Sequence, residues 1–281
     1  MSERTENRSA GIRTAAARSL ADVLVPLLVL ALLLAAWQCA VWWWRISPVL
    51  LPGPGAVLAA CWKIRVSLLE SAMRTALAAL TGLSISIVLG TLTAFAFSQS
   101  ALVRRAFYPY AVLLQTVPII AIAPIVIVSL GRGFSSVAVV SAILGLFPII
   151  TSTTTGLLQV DAMLLDLFRL YRASRWQMLL KLRVPAALPY LISGIRIASG
   201  SSIVGAIVGE FFVGDGTPGL GSLIQRKSAS LVLSELYATV GAATVLGTLV
   251  FGLITVLGET VLQRRFGMSL GGRVSGPQSG D

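Results

Sequence analysis

The chain has no histidine, only two cysteines and three lysines, and just 12% of its 281 residues are charged. Without imidazole there is no His-based metal site and no His general base. None of the three lysines, Lys63, Lys181 and Lys227, follows a glycine, so the G-x-x-x-x-G-K-[ST] phosphate cradle is missing and the chain is not expected to hydrolyse ATP. No residue is assigned as catalytic, cofactor-binding or metal-ligating. Cys39 and Cys61 fall near the expected outer face. They form either a disulfide or two unlinked, buried thiols, and the geometry a disulfide demands favours the second reading. Acids are scarce too, 11 against 22 Lys and Arg. The resulting net charge of +11 sits in short segments between apolar runs, as membrane topology alone would arrange it, and nucleic-acid binding is not expected.

What the chain does have is apolar length. Hydrophobic residues make up 56% of it and its mean hydropathy is +0.87, whereas a soluble domain carries about 25% charged residues. A helix needs roughly 20 apolar residues to cross the hydrocarbon layer. Five stretches free of Asp, Glu, Lys and Arg qualify: 23–44, 75–103, 106–131, 133–160 and 236–258. A sixth, 190–212, carries Arg196 and Glu210. The expected fold is therefore all-α, a polytopic membrane protein with six transmembrane helices. With the N-terminus inside, the inner segments hold 14 basic residues and the outer ones 7, which puts both termini on the cytoplasmic side. The first apolar run is too long for a signal-peptide core and is read as a retained span.

Residues 1–19 are read as a polar cytoplasmic tail, 20–262 as one six-span domain and 263–281 as a flexible cytoplasmic tail. After the first span, "ISPVLLPGPGAV" marks a Pro/Gly turn, and 56–70 reads as a short interfacial helix. "SQSALVRRAF" reads as a short inner loop. Pro118 and Pro124 lie inside the third span, and Pro148 precedes "TSTTTG" in the fourth. Each proline removes a backbone donor and bends its helix. The hydroxyl-rich end either bonds back to its own helix carbonyls or lines a solute path.

The longest inner loop, 156–189, contains "DLFRLYRASRWQMLLKLRVPAALP". Met163, Leu164, Leu167, Phe168 and Tyr171 repeat at helical spacing, with Asp166 and Arg169 as the polar strip. A helix so apolar outside the membrane must be covered by lipid headgroups, by the span ends or by another protein. Ser174 followed by Gln177 forms a capping-box pattern, which predicts a second helix from Arg175. Pro185 and Pro189 are expected to end it and turn the chain into the membrane.

This helix-turn-helix resembles the EAA coupling loop of binding-protein-dependent ABC importer permeases, whose pattern runs Glu-Ala-Ala, three residues, Gly, nine residues, Ile, any residue, Leu-Pro. Asp166 stands at the Glu position, Leu167 and Phe168 at the alanines, and Arg172 at the glycine. Leu182, Val184 and Pro185 take the Ile, Leu and Pro positions. "QTVPIIAIAPIVIVSLGRG", "FPIITSTTTGLL", "RASRWQ", "LPYLISGIRIA", "GAIVGEFF" and "GLGSLI" together resemble the nitrate, sulfonate and taurine branch of that family, over roughly residues 50 to 262.

The resemblance implies a type I importer permease working as a homodimer, with a separate ABC ATPase and an extracytoplasmic solute-binding protein. ATP and Mg²⁺ would bind the ATPase, and no cofactor this chain. The coupling residues would be Asp166, Leu167, Phe168, Arg169, Tyr171, Arg172, Ala173, Ser174 and Pro185. Solutes would be small and polar, such as sulfonates, taurine, nitrate or a pyrimidine vitamin precursor. Because Arg at position 172 would be strained at positive φ by about 1 kcal/mol, an ordinary right-handed or β conformation is expected there.

Gln115, Thr116 and Pro118 are candidate path-lining residues. Arg196 would snorkel inward or enter a water-filled path. Glu210 is expected near the outer boundary, as a plain interfacial carboxylate, or as part of an outer gate or a binding-protein contact. The alternative function is a self-contained secondary transporter or channel, disfavoured because ionisable groups interrupt the spans only at Arg196 and Glu210.

Overall fold

The computed structural model describes residues 24–47, 50–214 and 218–266, and every regular element among them is helical. The N-terminal tail and residues 267–281 of the C-terminal tail lie outside the described residues. α1 (Leu24–Trp43) is apolar on all sides and buries none of its most apolar stretch, as expected of a helix whose neighbour is lipid. α2 (Pro54–Lys63) starts on a proline, whose missing N–H would be unpaired there in any case. α3 (Arg65–Gln99), α6 (Phe134–Leu158), the stretch Arg175–Val213 and α11 (Leu233–Phe266) are each long and apolar enough to cross a bilayer. α4 (Ala101–Thr116) and α5 (Ile119–Leu130) make a sixth candidate as a pair bent by 99°. The all-α expectation and its six candidate spans hold.

Two compact units emerge among the described residues, one of those up to Lys63 together with 231–238, the other of those from Ile64 to Ser230 together with those from Thr239 on. In the first, the exposed Lys63 Nζ pairs with the buried Glu235 carboxylate at 3.0 Å, and the Trp37 and Tyr237 rings lie 5.9 Å apart. Cys39 and Cys61 are free thiols, and neither is buried as expected: Cys39 is exposed and Cys61 half-buried.

The second unit is built on α3, α6 and α9 (Val184–Val213). Lipid offers no hydrophobic drive for helices to associate, so close packing and hydrogen bonds hold them together. Small residues supply both. Ser86 Oγ donates to Ala142 O at 2.7 Å, and Ser141 Oγ to Ser202 O at 2.8 Å. A Cβ at Gly145 would lie 2.7 Å from both Ser202 Oγ and Ser86 Oγ, so only glycine lets the three helices meet there. Leu83, Ile149 and Ala198 fill the neighbouring layer.

Several sequence expectations are corrected. The interfacial helix of 56–70 divides at Ile64, its second part being the start of α3, which at about 1.5 Å per residue is long enough to exceed the hydrocarbon thickness. The inner loop around 98–107 shrinks to Ser100, whose hydroxyl accepts from Val103 N and caps α4. Of the span prolines, Pro118 breaks its span, whereas Pro124 and Pro148 stay within α5 and α6. In α6, Thr151 Oγ1 donates to Phe147 O (2.9 Å) and Pro148 O (3.3 Å), the back-bonding reading of "TSTTTG".

Pro185 and Pro189 do not stop the second loop helix. α8 (Arg175–Met178) passes through a π-helical turn (Leu179–Arg183) straight into α9. Val184 N donates to Leu179 O, five residues back, and this wider turn leaves room for the ring of Pro185 in the first turn of α9.

Candidate functional site

The loop between α6 and α9 is a helix-turn-helix. α7 (Ala162–Leu170) is capped by Asp161, whose carboxylate accepts from Met163 N at 2.8 Å. No residue of α7 is buried; Met163, Leu170 and Tyr171 are each about 80% exposed. The Asp166–Arg169 pair, 3.0 Å apart, is exposed on both sides and adds little to stability.

Arg172 overturns the conformation expected for it. Its φ is +50°, the left-handed region. Ala173 N donates to Phe168 O (3.0 Å) and Arg172 N to Arg169 O (2.9 Å), the two bonds of a Schellman motif with Arg172 at the position usually held by glycine. These bonds satisfy carbonyls that α7 would otherwise leave unpaired, and that offsets the steric cost of the Arg Cβ. The turn therefore keeps the backbone a glycine would have, with no glycine in it.

The next cap follows at once. Gln177 N donates to Ser174 Oγ (3.2 Å) and Ser174 N to Gln177 Oε1 (2.8 Å), the capping box the sequence predicted. Leu167, Phe168, Tyr171 and Ala173 meet around a hollow of 320 Å³ with Gln177 and Lys181. The second half of the loop is anchored: Leu179 packs in a buried cluster with Ala94, Leu157 and Ala187. Arg183 Nη1 donates to Ser98 O (3.0 Å) at the C-terminal end of α3. Pro185 lies half-buried at the start of α9.

The candidates within the spans do not come together. Gln115, Thr116 and Pro118 surround the α4–α5 bend, all exposed in the isolated chain, and Thr116 Oγ1 bonds back to Leu113 O at 3.0 Å. Arg196 is half-buried on α9 with its guanidinium carbon 5.9 Å from the centre of the Phe251 ring, and its Nε has no hydrogen-bond partner among the described residues. Glu210 lies on the same helix about 21 Å further along.

Glu210 is not a plain interfacial carboxylate. It is 2% exposed, and Oε2 accepts from Thr75 Oγ1 (2.8 Å) and Gly221 N (2.9 Å). Thr75 Oγ1 in turn accepts from Leu220 N at 2.9 Å. The carboxylate thus occupies the N-terminus of α10 (Leu220–Ala229), where free N–H groups and the helix dipole favour negative charge. Gly219 is needed at this start because a Cβ would run into the Glu210 side chain. Sequence reasoning missed Thr75, whose only signal was a hydroxyl at the edge of an apolar run.

Residues 86–268 match the family model of the binding-protein-dependent transport system inner membrane component. The chain belongs to that family. The formylaminopyrimidine transport permease protein ThiX of Halalkalibacterium halodurans is 33% identical over 79% of this chain and 91% of its own length. The putative aliphatic sulfonates transport permease protein SsuC of Bacillus subtilis is 27% identical over 85% of this chain and 87% of its own. A chain from the MetNI methionine ABC transporter, in an inward-facing conformation, superposes with a TM-score of 0.61 at 18% identity, covering 72% of this chain and 97% of that one. That structural likeness establishes a shared fold. The binding-protein-dependent permease described here is thus a multi-pass membrane protein of the type I ABC importer class, a transport subunit and not an enzyme.

Proposed function

We propose that this permease imports a small polar solute, of the sulfonate, taurine, nitrate or pyrimidine-precursor kind, and that a separate ABC ATPase drives it by docking on the loop at 163–184. The observation that carries the reading is the left-handed Arg172 turn. It joins an α7 with no buried residue to a second helix that runs unbroken into α9. The apolar side chains of α7 supply a docking face, and Asp166, Leu167, Phe168, Arg169, Tyr171, Arg172, Ala173 and Ser174 carry it. With no flexible link between α8 and α9, and with Arg183 and Leu179 tying the junction to α3 and α6, a push on the loop moves whole spans.

The working unit in this reading is a homodimer with two ATPases, fed by an extracytoplasmic binding protein. Both termini face the cytoplasm, as the distribution of basic residues supports. ATP and Mg²⁺ stay on the ATPase, while Gln115, Thr116, Pro118, Arg196 and Glu210 serve the path or its gates. The names of ThiX and SsuC support a solute of this size and polarity.

The experiment is reconstitution of the chain in proteoliposomes with its ATPase and binding protein, followed by solute uptake. Uptake should require all three proteins and ATP. Uptake by the chain alone along an ion gradient would overturn the reading in favour of a secondary transporter.

A further inference from the structure

A hollow of 220 Å³ opens between α3, α6 and α9, lined by Arg74, Leu77, Phe134, Val137, Glu210 and Pro218 among others. It is smaller than the roughly 300–1,000 Å³ of drug-sized ligand sites, so it admits only a small solute. Its lining is apolar except for one guanidinium and one carboxyl group, those of Arg74 and Glu210.

Both groups have hydrogen-bonding capacity left over. Glu210 is 2% exposed, and its bonds from Thr75 Oγ1 and Gly221 N both fall on Oε2. Oε1 accepts none among the described residues and is not sealed by the packing around it. Buried carboxylate oxygens are ordinarily hydrogen-bonded, so this one is open to a donor in the hollow. Arg74 is exposed and makes no ion pair among the described residues, although Glu70 stands one turn away on α3. Its side chain lines the hollow instead, which puts a free fork of N–H donors within reach of a ligand there.

We propose that this hollow holds a small zwitterion, a molecule with an ammonium at one end and a sulfonate or carboxylate at the other. The ammonium donates to Glu210 Oε1, and the Arg74 guanidinium donates to the acid oxygens through two parallel N–H bonds. A solute of one charge serves the site less well, since an anion would face the Glu210 carboxylate and a cation the Arg74 guanidinium. The apolar walls of Leu77, Phe134 and Val137 suit the short carbon link between the two charges. The inference rests on the import reading and narrows it: among the solutes proposed above it selects amino sulfonates such as taurine over nitrate and uncharged pyrimidines.

The test uses the full chain purified in detergent, without ATPase or binding protein, and follows thermal unfolding with taurine, ethanesulfonate and ethylamine at equal concentration. Taurine should raise the wild-type Tm, and the other two, which each keep one of its charges, should do much less. Arg74→Gln should need about tenfold more taurine for the same rise. Its ligand-free Tm should match wild type, because Arg74 is exposed and makes no ion pair among the described residues. Arg74→Lys should recover part of the lost protection. Equal protection by ethanesulfonate would replace the zwitterion with a plain anion, and equal protection by ethylamine with a plain cation; either overturns the proposal. No protection of wild type by taurine, or equal protection of Arg74→Gln, would overturn the site altogether. So would a ligand-free Arg74→Gln that unfolds well below wild type, since the guanidinium would then be serving Glu210 itself. Reconstituted uptake is scored separately. Uptake that fails while taurine still protects removes the import reading alone, and ATP-driven uptake without protection removes only this site.

Discussion

Thr75 Oγ1 donates to Glu210 Oε2 across 2.8 Å, joining residues 135 positions apart in sequence, and accepts from Leu220 N at 2.9 Å. One hydroxyl therefore links α3, α9 and the start of α10. Thr75→Val keeps the shape and removes both bonds. Each buried group left unpaired costs about 1–3 kcal/mol, and thermal unfolding in detergent should show a lower Tm. Hydrogen exchange should rise first at the amides of 219–223.

Gly145 and Gly200 should answer differently to the same substitution. In Gly145→Ala the new Cβ would be 2.7 Å from two serine hydroxyls, whereas nothing lies within 4 Å of a Cβ at Gly200. Gly145→Ala should destabilise by about 1–3 kcal/mol through overpacking. Gly200→Ala should be neutral or stabilising by up to about 1 kcal/mol from helix propensity. Chemical unfolding of the two variants side by side checks both.

Arg172→Gly should stabilise the turn by about 1 kcal/mol, because glycine reaches positive φ without a Cβ clash. Arg172→Pro should break it, since proline cannot reach φ +50° and lacks the N–H that bonds Arg169 O. Protection of the amides at 171–174 against hydrogen exchange is the readout.

Ser174→Ala removes the side-chain half of the capping box and should cost about 1 kcal/mol. The loss should appear as faster exchange at Gln177 N, which loses its acceptor. The buried Leu179 end should be unaffected.

Leu167→Asp and Leu170→Asp place charge on a helix with no buried residue, at side chains 46% and 80% exposed, so fold and Tm should change little. ATP-driven uptake and co-purification of the ATPase should both fall. Loss of an interface anchor is worth about 2 kcal/mol or more, which is at least about thirtyfold in affinity. Unchanged uptake in both variants would remove α7 from the docking face.

The six candidate spans and the capping box were legible because each depends on neighbours close in sequence. Apolar length signals a span, and a box such as Ser174–Gln177 closes within one turn. The loop turn was legible in its position and misread in its conformation. An isolated Arg at positive φ is strained, and only the closed pair of bonds from Ala173 N and Arg172 N makes that conformation worth holding. Proline at 185 was likewise read as a stop, since composition carries no sign that a π turn will make room for its ring.

By itself the sequence determined that the chain is helical and membrane-spanning, because hydrophobic length and charge placement are properties of the linear chain. Tertiary structure alone decided the fate of its buried polar groups. Glu210 read as an interfacial charge because its partners, Thr75 and Gly221, lie on other helices. A buried polar group is stable only where donors converge on it, and convergence from distant segments is a property of the folded arrangement.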